Sequence, residues 1–158
     1  MPRRLVAFII DVVLAVIAVV GFGILLAIVL AVTGTQIDVN DPTTSYMNFV
    51  LTMVVTAGYF ILAWRQRRAT LGQKWLGLIV GNQADGERLT WGAATIRWLL
   101  LTLGPIPTLI TLIVPSASGL VVLLAIGWWI ALLVTTAISP TKQGLHDQWS
   151  QTLVVRRT

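Results

Sequence analysis

The chain alternates long apolar runs with short polar segments, the pattern of helices that cross a lipid bilayer. The first run extends from Leu5 to Val32 and holds one charge, Asp11. At about 1.5 Å per helical residue it exceeds a hydrocarbon core of about 30 Å, so tilt or protrusion is expected. Arg3 and Arg4 precede it as they would in a signal peptide. The run is nevertheless too long for such a segment, contains an acid and lacks a small-x-small cleavage site, so it reads as an uncleaved span. Thr33 to Ser45 is polar, with Gly34, Asp38, Asn40, Asp41 and Pro42, and predicts a loop. A second span runs from about Tyr46 to Trp64, stopped by Arg65, Arg67 and Arg68, with Trp64 as an interfacial anchor.

Ala69 to Thr90 is too polar to span. Thr70 to Trp75 predicts a short interfacial helix, Leu76 to Val80 alternates weakly, and Ala84-Asp85-Gly86-Glu87 is a turn signal. With the β-branched tail Thr152-Leu153-Val154-Val155, this predicts a small cytoplasmic β-hairpin-like segment. A third span covers about Trp91 to Val114. Gly104-Pro105-Ile106-Pro107 interrupts it, and a kink or break is expected there. Pro115 to Gly119 connects to a fourth span, Leu120 to Ile138, closed by Ser139-Pro140. The expected fold is therefore a single all-α membrane domain over 1–158, a bundle of about four transmembrane helices near 5–32, 46–64, 91–114 and 120–138.

Composition agrees. Hydrophobic residues make up 56%, charged residues 11%, and mean hydropathy is +0.86; soluble domains carry about 25% charged residues. The chain has no cysteine and one histidine, so disulfides and thiolate metal sites are excluded and no metal or cofactor is expected. A net charge of +5 and an isoelectric point near 10.8 raise the question of nucleic acid. No nucleic-acid module is present, and basic residues beside apolar spans are explained by orientation and by anionic headgroups, so lipids are the expected partner. Arg3, Arg4, Arg65, Arg67, Arg68, Lys74, Arg88, Lys142, Arg156 and Arg157 all fall on one side of a four-span arrangement, and Arg97 lies nearest that side. Both termini are thus expected in the cytoplasm of a cell whose plasma membrane holds the chain as a multi-pass protein.

Two charges stand where lipid should forbid them. A carboxylate at mid-depth costs about 2.5–3.5 kcal/mol on insertion scales. Asp11 shares its helix face with Ala7, Ala15 and Ala18, a small-residue seam that another helix can approach closely. Arg4, seven residues earlier, points to the same side. Arg97 lies about two turns inside the third span, with Gly104, Thr108 and Thr111 along its face, and is the expected partner of Asp11. Asp147, in Gly144-Leu145-His146-Asp147, is the expected third member at the same surface. In the second span Asn48, Thr52, Thr56 and Tyr59 recur at helical spacing; such a stripe lines a hydrated path or simply bonds helices together.

Arg4-x-x-Ala7-x-x-x-Asp11, Thr70-Leu71-Gly72-Gln73-Lys74, Asp85-Gly86 with Arg97, and Gln143-Gly144-Leu145-His146-Asp147 followed by Thr152 to Val155 together resemble the RDD family of small membrane proteins, mostly prokaryotic. By that resemblance the family's named arginine and two aspartates correspond to Arg4, Asp11 and Asp147. Gln73 stands where lysine is often seen. The resemblance implies a fold more firmly than a function; a transport role has been suggested for the family.

Two functions follow as expectations. The first is transport of ions or small solutes, with Arg4, Asp11, Arg97 and Asp147 as ion-pair or ligand candidates and His146, Asn48, Thr52 and Tyr59 as secondary ones. The structural alternative for those charges is a network that fixes helix register. The second is an accessory or scaffold subunit of a larger membrane complex, or a homo-oligomer, for which the mid-span Trp128-Trp129 pair offers a packing surface or, equally, ordinary lipid contact. Catalysis is not expected: no nucleophile motif appears, and His146 beside Asp147 is better read as a surface or network residue.

Overall fold

A computed structural model describes residues 2–35, 38, 41–103, 110–111, 114–141 and 143–156. The fold is mostly helical, with one two-stranded sheet. Helix α1 spans Pro2–Val32 and α2 spans Pro42–Leu62. A π-turn (Ala63–Arg67), the short α3 (Leu71–Trp75) and β1 (Leu78–Asn82) follow. Then come α4 (Trp91–Thr102), a 3₁₀ turn (Pro115–Ala117), α5 (Ser118–Ile138), the short α6 (Leu145–Trp149) and β2 (Thr152–Arg156).

Among the described residues three helical stretches are long and apolar enough to cross a membrane: Arg3–Val32, Pro42–Arg67 and Ser118–Ile138. Within the expected third span, helix is described over Trp91–Thr102, which is too short to cross by itself, and again at Ile110 and Thr111. Its Gly104 to Pro107 interruption lies outside the described residues. The polar segment after α1 also ends sooner than its composition predicts. Asp41 caps α2 by accepting from the Thr43 amide at 3.0 Å, and Pro42 supplies the preset φ of the first helical position. Helix therefore begins at Pro42 rather than Tyr46.

The expected β segment is present but is not a local hairpin. β1 pairs antiparallel with β2, Leu78 opposite Arg156 and Asn82 opposite Thr152. The predicted turn after β1 carries Gly86 at φ +69, and the Glu87 amide donates to the Asp85 carboxylate at 2.8 Å. Val80, Leu78 and Val154 are buried from the sheet and meet Trp64, Phe60 and Leu89. Large apolar side chains elsewhere on α1 and α5, such as Ile17 and Leu123, are exposed. The polar core thus sits in a cap at one end of the bundle, while the helical flanks present the greasy surface that lipid covers.

Arg4 at the start of α1 donates to the Val154 carbonyl of β2, so the two ends of the described chain meet at the capped end. Trp128 on α5 donates through its indole to the Leu100 carbonyl of α4 at 2.8 Å, and Trp129 packs on Phe8 of α1 with ring centroids 5.2 Å apart. The tryptophan pair ties α5 to α4 and α1 instead of facing only lipid.

Candidate functional site

The two anomalous charges sit in separate stations of the cap. Asp11 is 1% exposed, and the seam predicted beside it is real, with Ala7 and Ala15 also buried. Its carboxylate is held by neutral donors. Oδ1 accepts from the Tyr59 hydroxyl at 2.7 Å and from the Gly72 amide at 2.8 Å, and Oδ2 accepts from the Thr70 hydroxyl. Among the described residues Asp11 forms no ion pair, so the expected Asp11–Arg97 contact is corrected. A carboxylate accepting several well-placed hydrogen bonds is satisfied without a guanidinium.

Local sequence explains how α3 delivers these donors. Thr70 caps α3 and Gln73 closes the capping box, its Oε1 accepting from the Thr70 amide at 3.0 Å. The same Oε1 accepts from the Trp64 indole at 3.1 Å. Gly72 allows the helix to press directly on α1: a β-carbon there would stand 2.4 Å from the Ala7 carbonyl oxygen. Thr70, Gly72 and Gln73 were visible only as parts of a motif, and no charge marked them as partners of Asp11.

Arg97 pairs instead with Asp147. The two side chains are 3% and 2% exposed, and one Arg97 Nη1 reaches both Asp147 Oδ1 and the Thr152 hydroxyl. Arg97 also lies over the Trp64 ring, its guanidinium carbon 5.0 Å from the centroid. Arg97 shares the inner face of α4 with Ala94 and Leu100. His146 completes the group, with Nε2 3.4 Å from Asp147 Oδ1. Burial pushes the His146 ring down to about 4; the neighbouring Asp147 opposes this, and Arg97 and Arg4 reinforce it. Burial works to raise the Asp147 carboxyl, but Arg97, His146 and Arg4 outweigh it and hold Asp147 below its ordinary range. At neutral pH the site therefore contains an imidazole without charge beside a paired carboxylate.

The remaining candidates divide. Tyr59 belongs to the Asp11 station. Thr52 and Thr56 turn their hydroxyls back to carbonyls one turn earlier, Asn48 at 2.8 Å and Thr52 at 2.7 Å, and Asn48 is exposed. The stripe on α2 thus serves its own helix until it reaches Tyr59. Arg4 reaches the tail strand rather than Asp11.

Between the two stations lies a cavity of about 410 Å³. Arg4, Asp11, Arg97, His146 and Asp147 are among its ionisable lining residues, and Leu5, Phe8, Leu101, Trp129 and Leu133 among its apolar ones. A second, apolar cavity of about 240 Å³ shares Phe8, Phe60, Leu101 and Trp129 as a wall. Within the cap, buried Arg97 Nε and His146 Nδ1 have no hydrogen-bond partner among the described residues. The arrangement offers a mainly apolar slot headed by ionisable groups, of which Asp11, Arg97 and Asp147 are already engaged.

Comparison with known proteins gives the family. The chain is 32% identical over 106 residues to the uncharacterized membrane protein YteJ of Bacillus subtilis (strain 168). The alignment covers 67% of this chain and 51% of the relative, so the chain spans about half the length of the curated relative it matches. No solved structure matches. The model of the RDD family matches residues 1–151, a range that takes in Arg4, Asp11 and Asp147, and the chain is therefore a membrane protein belonging to the RDD family.

Proposed function

We propose that this chain binds a small molecule at the cap end of its bundle and takes part in moving it across the plasma membrane. The observation that carries this reading is the cavity of about 410 Å³, which falls in the ~300–1,000 Å³ range of small-ligand sites and joins ionisable groups to an apolar wall. Asp11 is not the cation site of this proposal, because its two oxygens already accept from Tyr59, Thr70 and Gly72.

The accompanying topology has four crossings with both termini cytoplasmic. The end of α5 adjoins α6 in the cap, where the Thr135 hydroxyl accepts from the Leu145 amide at 3.4 Å. A helix of 21 residues is about 30 Å long, which places Ser118 at the far end. Trp91 begins at the capped end, beside Arg65, whose guanidinium lies 5.8 Å from the Trp91 ring centre. Trp91 and Ser118 stand at opposite ends of the bundle, which supports a fourth crossing. The described basic residues gather at the capped end, which supports a cytoplasmic cap.

Native mass spectrometry of protein released in mild detergent tests the proposal, with Leu101→Trp as the cavity-filling variant. A small-molecule adduct on the wild type that disappears in the variant, and that crosses proteoliposome membranes only when the wild-type chain is present, is the expected result. An equal adduct on both chains overturns it. So does a chain that leaves the membrane only with a second protein and with its cavity empty, the signature of an accessory subunit.

A further inference from the structure

Helix α3 lies at the depth where a bilayer passes from headgroups to hydrocarbon. The Gly72 amide reaches Asp11 at 2.8 Å, and the Leu71 amide donates to the Tyr59 hydroxyl at 3.3 Å. Asp11 is six residues, about 9 Å, into the apolar run that opens at Leu5. Tyr59 stands in the last turn of α2. One side of α3 is thus fixed against α1 and α2, while Lys74 and Trp75 are exposed, Trp75 by 66%. An indole so exposed at this depth suits the interfacial layer, which is wet on one side and apolar on the other.

Where α2 gives way to the π-turn, α4 enters the bundle. Arg65 in that turn holds its guanidinium carbon 5.8 Å from the ring centre of Trp91, the first residue of α4. Trp91 is itself exposed, so the pair stands on the rim of the cap. Among the described residues neither Arg65 nor Lys74 forms an ion pair. Of the chain's six acids, Asp11 and Asp147 are buried, and Asp38 and Asp41 precede α2 at the far end. Asp85 and Glu87 belong to the turn after β1 and pair with neither cation. Neither Arg65 nor Lys74 lines either cavity. The rim is cationic and aromatic, and the charge that balances it comes from outside the chain.

We propose that this rim is a docking surface for anionic phospholipid of the leaflet at the capped end. Arg65 and Lys74 each take a headgroup phosphate, and Trp91 and Trp75 sit beside them in the interfacial layer. The flat guanidinium fork matches a phosphate, and the ammonium meets one as a point charge. A lipid without net charge is disfavoured. Its choline needs an acid or a free ring face, and the Trp91 face is taken by Arg65. Cations at a membrane surface each contribute about fivefold in affinity for anionic lipid.

Tryptophan quenching by chain-brominated lipids tests this with the full chain in dodecylmaltoside micelles. Brominated phosphatidylglycerol is expected to quench at a concentration roughly tenfold below brominated phosphatidylcholine. Arg65→Gln with Lys74→Gln is expected to cut that preference about threefold or more. Trp91→Leu keeps every charge and removes the ring under Arg65, and it is expected to lower the preference about twofold or more. Bulk charge alone would not produce that change. Each preference is a ratio of two lipids on one chain, and the comparison on the wild type stands without any variant. Equal quenching of the wild type by the two lipids overturns the proposal, as does an unchanged preference in either variant. Displacement of brominated phosphatidylglycerol by an equal concentration of sn-glycerol 3-phosphate also overturns it, because a soluble phosphate would then be the partner.

Discussion

Gly72 and Ala7 meet backbone to backbone. A β-carbon at Gly72 would stand 2.4 Å from the Ala7 carbonyl oxygen and 3.0 Å from the Asp11 carboxyl carbon. No side chain fits between α3 and α1, and the same closeness lets the Gly72 amide reach Asp11. Gly72→Ala must separate the helices or distort them, at about 1–3 kcal/mol for overpacking, and it weakens a hydrogen bond to a buried carboxylate as well. The expected fall in Tm, followed by tryptophan fluorescence in detergent, is roughly 5 °C or more. Gly58→Ala is the control: nothing lies within 4 Å of its β-carbon position, and alanine favours helix. Equal Tm values for the two variants would contradict the contact.

Arg97 and Asp147 form a buried pair, and removing one leaves the other charged without its partner. Arg97→Ala and Asp147→Ala are each expected to cost about 3–5 kcal/mol. The double variant should cost clearly less than their sum, because the second substitution removes the stranded charge. Arg97 and Asp11, which do not touch, should couple more weakly than Arg97 and Asp147. A double-mutant cycle by equilibrium unfolding in mixed micelles reads both couplings. Additivity for Arg97 with Asp147 would show that the two side chains do not interact.

This exchange of partners shows where sequence stops being informative. The apolar runs specify α1, α2 and α5 because a bilayer demands length and hydropathy, and both are local properties. The seam Ala7-Asp11-Ala15 is legible because helical spacing places those residues on one face. The choice of Asp147 over Asp11 for Arg97 depends on how α4 is rotated and on α6 folding back under α5, and neither leaves a periodic trace. Asp11 is satisfied by a phenol, a hydroxyl and a backbone amide. Such neutral donors carry no charge signature, so charge matching alone assigns it the wrong partner. The β1–β2 pairing joins segments more than sixty positions apart along the chain, beyond the reach of any turn signal.

His146 should govern the acid side of the stability curve. Its folded value is about 4 and its unfolded value about 6.5. The unfolded chain therefore takes up a proton first as pH falls. Stability from this group is complete above about pH 6.5 and is lost progressively between there and about pH 4, in total about 3 kcal/mol. Asp147, held below its ordinary range, loses its contribution only further into acid. The charged groups facing the ring are Asp147, Arg97 and Arg4. Unfolding midpoints measured from pH 8 to 4 should fall below pH 6.5 in the wild type, and His146→Gln should flatten that limb. An unchanged limb would mean that His146 is not held neutral.

Gln73 occupies a place that lysine, a pure donor, cannot serve in this chain. Its Oε1 accepts from the Thr70 amide at 3.0 Å and from the Trp64 indole at 3.1 Å. Trp64 is 1% exposed and forms the ring beneath Arg97, so this single oxygen links the Asp11 station to the Arg97 station. Gln73→Leu removes the acceptor and leaves a buried indole N–H without a partner, at about 1–3 kcal/mol. Gln73→Lys should cost at least as much, because its ammonium only donates and lies beside another cation. Gln73→Glu keeps the oxygen and should restore most of the stability. The order Glu above Leu, with Lys at or below Leu, is read from Tm values at pH 7.5. A lysine variant as stable as the wild type would show that the oxygen does not join the two stations.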